Sequence, residues 1–106
     1  MLIATTNELP GHEIEEVYGE VFGLTVRSRN AFSQIGAGFK SMLGGELKGM
    51  TKALADSRQQ VIDRMVEEAE SRGANAIVAM RFDTSEMGDT WKEICAYGTA
   101  VRVRKA

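Results

Sequence analysis

The sequence predicts an α+β domain with a β-sheet in one layer, two helices in the other, and a β-hairpin at the C-terminus. Three observations predict it. An amphipathic helical pattern runs from Gly49 to Arg72, glycine-punctuated β-patterns flank it on both sides, and 106 residues suit one domain, residues 1–106. A chain of that size buries roughly two-thirds of its unfolded surface, enough for a modest core without disulfides.

The elements follow in order. Leu2 to Thr5 is a short strand stopped by Asn7 and Pro10-Gly11. From Ile14 to Arg27 the alternation is β-like, with Ile14, Tyr18, Phe22, Leu24 and Val26 on one face and Val17, Gly19, Val21 and Gly23 on the other. Two glycines inside a strand predict a bulge, a bend or a close backbone approach. Asn30 is a candidate N-cap for a helix over 31–43, whose Gly36 and Gly38 each cost about 1 kcal/mol against alanine. Gly44-Gly45 ends it.

The strongest helix, Gly49 to Arg72, has Met50, Leu54, Val61, Ile62, Met65 and Ala69 as its apolar stripe. Glu68 and Arg72 form an i,i+4 pair, and Gly73 stands where a left-handed cap is wanted. The next strand, Asn75 to Asp83, points Ala76, Val78, Met80 and Phe82 one way, and Ile77 and Ala79 the other. Thr84 to Thr90 reads as a hairpin loop. The last strand, Trp91 to Val103, puts Cys95, Tyr97, Thr99, Val101 and Val103 on one side. Ile94, Ala96, Gly98 and Ala100 form a thin side that a helix or neighbouring backbone could approach closely.

A strand apolar on both faces is covered on both faces. Two helices cover one, so the other predicts a like subunit, with Tyr18, Phe22, Ile77 and Ala79 as the candidate oligomer interface. Composition supports an ordinary globular protein: 43% hydrophobic, 26% charged, net charge −2. That balance argues against nucleic acid and membrane as partners. One cysteine, no signal-peptide pattern and no long apolar run give a cytoplasmic expectation.

No constellation of residues specifies catalysis, so the reading leans away from an enzyme. A structural zinc site wants four Cys/His ligands, and this chain has only Cys95 and His12. They remain metal candidates only through copies meeting at a symmetry axis; a buried structural cysteine is the simpler reading. Gly44-Gly45-Glu46-Leu47-Lys48-Gly49-Met50-Thr51 misses the P-loop lysine at Met50 and follows a helical segment, not a strand. Lys48, Gly49 and Lys52 at a helix start could still hold an anion. Asp83, Glu86 and Asp89 make an acidic turn without EF-hand spacing. Glu13, Glu15 and Glu16 read as an edge that discourages stray pairing. Arg102, Arg104 and Lys105 form a basic end without interleaved aromatics.

In order and spacing, several segments resemble the YbjQ-like family, small proteins of unknown function labelled "putative heavy-metal-binding". They are Ala4-Thr5-Thr6, Tyr18-Gly19-Glu20-Val21-Phe22-Gly23, Arg29-Asn30-Ala31-Phe32, Gly44-Gly45, Gly73-Ala74-Asn75-Ala76-Ile77-Val78 and Gly98-Thr99-Ala100-Val101. The resemblance spans nearly the whole chain and implies a single YbjQ-like domain closing into a homopentameric, propeller-like β/α ring, with short extra strands at the subunit contacts. It implies no established catalytic residues. Where some members carry a cysteine before the glycine matching Gly19, this chain has Tyr18. The expectation is therefore a ring-forming protein with a binding or assembly role, any ligand lying between subunits. The alternatives are heavy-metal binding through symmetry-repeated ligands and a small-molecule enzyme with an inter-subunit site.

Overall fold

A computed structural model of the protein describes residues 1–28, 48–87 and 91–106. The helix expected over 31–43 lies outside these residues, as does the hairpin tip at 88–90. The described elements are β1 (Leu2–Ile3), β2 (His12–Ser28), α1 (Lys48–Ser71), β3 (Ala76–Met87) and β4 (Trp91–Lys105). The fold is α+β: one mixed four-stranded sheet in the order β1-β3-β4-β2, with α1 on one face. β1 runs parallel to β3, and the other neighbours are antiparallel.

Helix α1 packs through Ser57, Val61, Met65 and Ala69, a straight i,i+4 row with almost no exposure. Leu54, expected in the stripe, lies off that row and is exposed. Ser57 takes the place that the phase of the row assigns. Gly73, at φ +90°, closes the helix: its N–H donates to Glu70 O, and that of Ala74 to Ala69 O. This is a Schellman end, and buried Ala74 and Ala69 are its apolar contact.

The two glycines of β2 act differently. Gly19, at φ +99°, adjoins a register shift between Val17 and Gly19. Gly23 lies directly under α1, where an added Cβ would meet Met65 N at 2.6 Å and Arg64 Cβ at 2.9 Å. Gly98 is crowded likewise, by Ile77 and the β3 backbone. The thin side of β4 is thus the side that α1 covers: Ile94, Ala96 and Ala100 are buried with Val21, Val61 and Met65.

The expected phasing fails at three places. Bulges around Glu15 and Tyr18 rephase β2, sending Tyr18 toward the helix side and Val17 outward. In β3, Ala79 adopts φ +54° within a register shift between Val78 and Arg81. Ile77, Met80 and Phe82 consequently share the helix side, and Ala76 and Val78 take the other. Ala76 and Val78 form a second small core with Val101, Val103 and Leu9 of the N-terminal segment. The first strand of the hairpin also runs on to Met87, so the expected loop over 84–90 begins later.

The two-sided burial of residues 76–78 is therefore completed within one chain. The helix covers one side and the N-terminal segment the other. That segment is tied down by Ala79 N–H donating to Thr6 O at 2.8 Å and Met80 N–H to Ala4 O at 3.0 Å.

Candidate functional site

Among the described residues, what stays uncovered is the opposite end of the face away from α1. Alternation puts Phe22, Leu24 and Val26 of β2 on it, beside Trp91, Cys95 and Tyr97 of β4, with Phe22 paired to Tyr97 and Leu24 to Cys95. Ile14 and Val17 extend the stripe toward the start of β2. Its large apolar members are between 38 and 62% exposed. Asp83 lies opposite Cys95, and Arg81 opposite Tyr97, so charges border the stripe on the β3 side. An apolar area on the order of 500 Å² is at the upper end of what a monomer ordinarily leaves in water.

Of the four residues expected at an interface, only Phe22 stands on this exposed stripe. Tyr18 is half-buried on the helix side, its hydroxyl donating to Glu16 at 3.1 Å. Its phenol is pushed above the ordinary value by desolvation first, then by Glu16. Ile77 is fully buried beneath α1, which withdraws it from contact with a second chain. Ala79 is half-buried at the bulge. The expected interface set left out Val17, Leu24, Val26, Trp91 and Tyr97, of which Trp91 and Tyr97 are aromatic side chains of the kind that anchor a core or an interface. Gly23 was the available signal: a strand face offering glycine is the face a helix takes, leaving its apolar neighbours outside.

The metal candidates do not meet within one chain. His12 pairs with Lys105 and holds Nδ1 at 3.1 Å from Pro10 O, whereas Cys95 sits opposite Leu24. Ten residues of β4 separate those registers, on the order of 30 Å. Among the described residues no group of three His, Cys, Asp or Glu could hold an ion. Cys95 is free and half-buried, its thiol pushed up by burial and then by Glu93, Asp83 and Glu20. A raised thiol is the wrong direction for a ready thiolate.

Of the anion candidates, Lys52 is committed to Asp56 at 3.0 Å, and the side chains of residues 48 and 49 lie outside the described set. The acidic start of β2 and the basic end of β4, separate in the sequence, meet across the ladder. Arg104 binds Glu13 at 2.6 Å and Glu15 at 3.4 Å. A hollow of about 330 Å³ at the start of α1 is lined by Thr51, Leu54, Ala55, Arg58, Thr84 and Ile94. Arg58, 4.8 Å over the Phe82 ring, is the one titratable side chain among its described lining residues. No helix among the described residues is long and apolar enough to cross a membrane.

A family model described as "Putative heavy-metal-binding" matches residues 1–104. A UPF0145 protein of Acidothermus cellulolyticus is 68% identical, with 99% of this chain and 97% of that protein covered. UPF0145 proteins of Streptomyces coelicolor and Lactococcus lactis are 60% and 57% identical, each over 99% of this chain, covering 99% and 96% of the relatives. A crystal structure of a protein of unknown function from Pediococcus pentosaceus, assigned to the DUF74 family, superimposes with a TM-score of 0.51 at 15% identity. The match covers 98% of both chains and speaks for the fold alone. With the match running from the first residue to the last turn of the ladder, this chain belongs to the YbjQ-like family.

Proposed function

We propose that the protein is a self-assembling subunit whose exposed stripe is covered by further copies of the same chain. The family resemblance suggests five copies in a ring. Any ligand is held between subunits, in a binding or assembly role without catalysis, in the reducing cytoplasm that suits a free Cys95. The observation that carries this reading is the row Phe22, Leu24, Val26, Trp91 and Tyr97 exposed on the face away from α1.

Magnitudes support it. About 500 Å² of apolar area is worth roughly 12 kcal/mol gross when buried. Association costs about 4–15 kcal/mol, so one stripe roughly offsets that cost, and repeated contacts in a closed ring add to the balance. Shape points the same way: the radius of gyration is 17.0 Å, against about 13 Å for a compact chain of this length. Size-exclusion chromatography with light scattering tests the reading. A mass of several chains, reduced toward one chain by Phe22→Ser with Leu24→Ser, is expected; a well-folded monomer at micromolar concentration refutes it.

Heavy-metal binding is the second reading, favoured by one observation: Cys95 lies on the same face as the stripe, opposite Asp83. Copies meeting there would bring thiols together. Titration with zinc, copper(I) and cadmium, with Cys95 alkylation as readout, decides it. Bound metal that protects Cys95 supports the reading, and no metal with unchanged reactivity removes it.

A further inference from the structure

Strand β2 forms a border of the sheet; among the described residues, only its β4 side is paired with another strand. A border of this kind is a template for a strand of another chain. Helix α1 reaches over it. Arg64 Nη1 donates to Leu24 O at 2.6 Å, and Arg72 Nη1 donates to Glu20 O at 3.1 Å and to Tyr18 O at 3.4 Å. Arg72 is itself steadied by Glu68 at 2.8 Å.

The spacing has a physical reason. Eight residues along a helix advance about 12 Å, and four along a strand about 13 Å. Arginines two turns apart therefore meet carbonyls four residues apart on an antiparallel strand. Gly23 lets the helix lie close enough for both to reach. Between the two contacts, a groove of about 440 Å³ is lined by Phe22, Gly23 and Leu24 of the strand and Arg64 and Glu68 of the helix.

We propose that Arg64 and Arg72 close the β2 border to strand addition, so that copies of this chain meet through the apolar stripe and not along that border. The stripe half of this inference rests on the assembly reading; the closure does not. A strand arriving at the border needs the alternate carbonyls of Glu20, Phe22 and Leu24 as acceptors, and those of Glu20 and Leu24 flank the third. Both already hold a charged donor, and the guanidinium groups occupy the space the strand would enter. An incoming chain would have to strip two charge-assisted hydrogen bonds to form neutral ones, which are weaker.

The test compares wild type, Arg64→Ala with Arg72→Ala, and Arg58→Ala, by sedimentation velocity and circular dichroism. Arg58 is the control, being on the same helix but over the Phe82 ring. The double variant is expected to form β-rich species larger than wild type, growing with concentration, from about tenfold lower concentration than any such species of wild type. Arg58→Ala should not. Adding Glu20→Pro removes the N–H that points out of the border beside its carbonyl, and should restore the wild-type size. A double variant with wild-type size at every concentration overturns the closure, as do large species that the proline leaves unchanged, which would mark misfolding. A monomeric wild type defeats the assembly reading, while the comparison of variants still decides the closure.

Discussion

Replacing Gly23 with alanine should cost more than replacing any other glycine of β2, because the obstacle is helix backbone and not a movable side chain. The new Cβ would stand 2.6 Å from Met65 N, where ordinary contact begins at 3.4 Å, and closer still to Val61 O. Helix α1 must retreat by about 1 Å to admit it. A radial gap of that size forfeits roughly a quarter to a half of each dispersion contact across it. The row affected is the best buried in the protein, Val61, Met65 and Ala69 against Val21, Ala96 and Ala100. The expected loss is about 3 kcal/mol, the upper part of the overpacking range. It corresponds to a fall in Tm of roughly 10–20 °C. Urea and thermal unfolding at one fixed protomer concentration measure it, so that any association weighs equally on variant and wild type. Gly19→Ala is the internal comparison: its φ of +99° is strained for alanine, but nothing lies within 4 Å. It should lose only about 1–2 kcal/mol. A Gly23→Ala variant within about 0.5 kcal/mol of wild type would refute the close approach of helix and strand.

Other consequences are measurable in the same way. Ala79→Gly should stabilise by about 1 kcal/mol, because φ +54° suits glycine and the bulge hydrogen bonds to Thr6 and Ala4 are made by backbone; denaturant midpoints check it. Asn75 donates Nδ2 to Val103 O at 2.9 Å and accepts from Val103 N–H at 2.8 Å. Asn75→Ala should therefore lose about 2 kcal/mol by stranding both groups, with less loss in Asn75→Asp, which keeps the acceptor. Cys95 should alkylate more slowly in the folded chain than in urea at mildly alkaline pH, and faster in Asp83→Asn, which removes one carboxylate that raises its pKa. The sign for stability follows: the folded state holds the thiol proton more tightly, so this contribution is present below the unfolded thiol pKa and fades as pH rises through the folded one. Unfolding free energies measured across the alkaline range should decline accordingly, and less steeply in Cys95→Ser.

The elements whose pattern is set locally were legible in the sequence. The 3.6-residue period and Gly73 placed the helix at Gly49–Arg72, against Lys48–Ser71 in the structure, and the alternation of Ile14–Arg27 foreshadowed β2. Gly19 and Gly23 were read as bulge or close approach, and each took one of those roles. The facing of residues 76–82 was not legible. A single residue in the left-handed region inverts the parity of everything after it, and Ala79 gives no warning because alanine rarely adopts that conformation. The bulge is imposed from outside, by carbonyls of Thr6 and Ala4 more than seventy residues away. The Arg64 and Arg72 contacts were hidden for a related reason. Arg72 reads only as the partner of Glu68, and Arg64 carries no signal until the helix is laid along β2. For the candidate surface, Phe22 was found and Ile77 was misplaced, both through the same question of which strand face the helix would choose.

That choice also explains why the exposed stripe lies where it does. Among the described residues the sheet has two coverings, α1 and the N-terminal segment, and they act on opposite faces at different places. The helix is held over β2 and β4 by Gly23 and the small residues of β4, where close approach gains the most contact. The N-terminal segment is anchored at the Ala79 bulge and reaches only Ala76, Val78, Val101 and Val103. Neither reaches Phe22, Leu24, Val26, Trp91 and Tyr97. The same length of β2 has its border capped by arginine while its outer face is left apolar. An apolar face beside an open border would invite endless edge pairing, whereas an apolar face beside a capped border permits only face contact. Face contacts can close on themselves, and the Arg81 and Asp83 charges beside the stripe restrict the orientations in which they do. Limited assembly thus requires both features together, and losing either the stripe or the arginine caps should shift the protein toward a different oligomeric state.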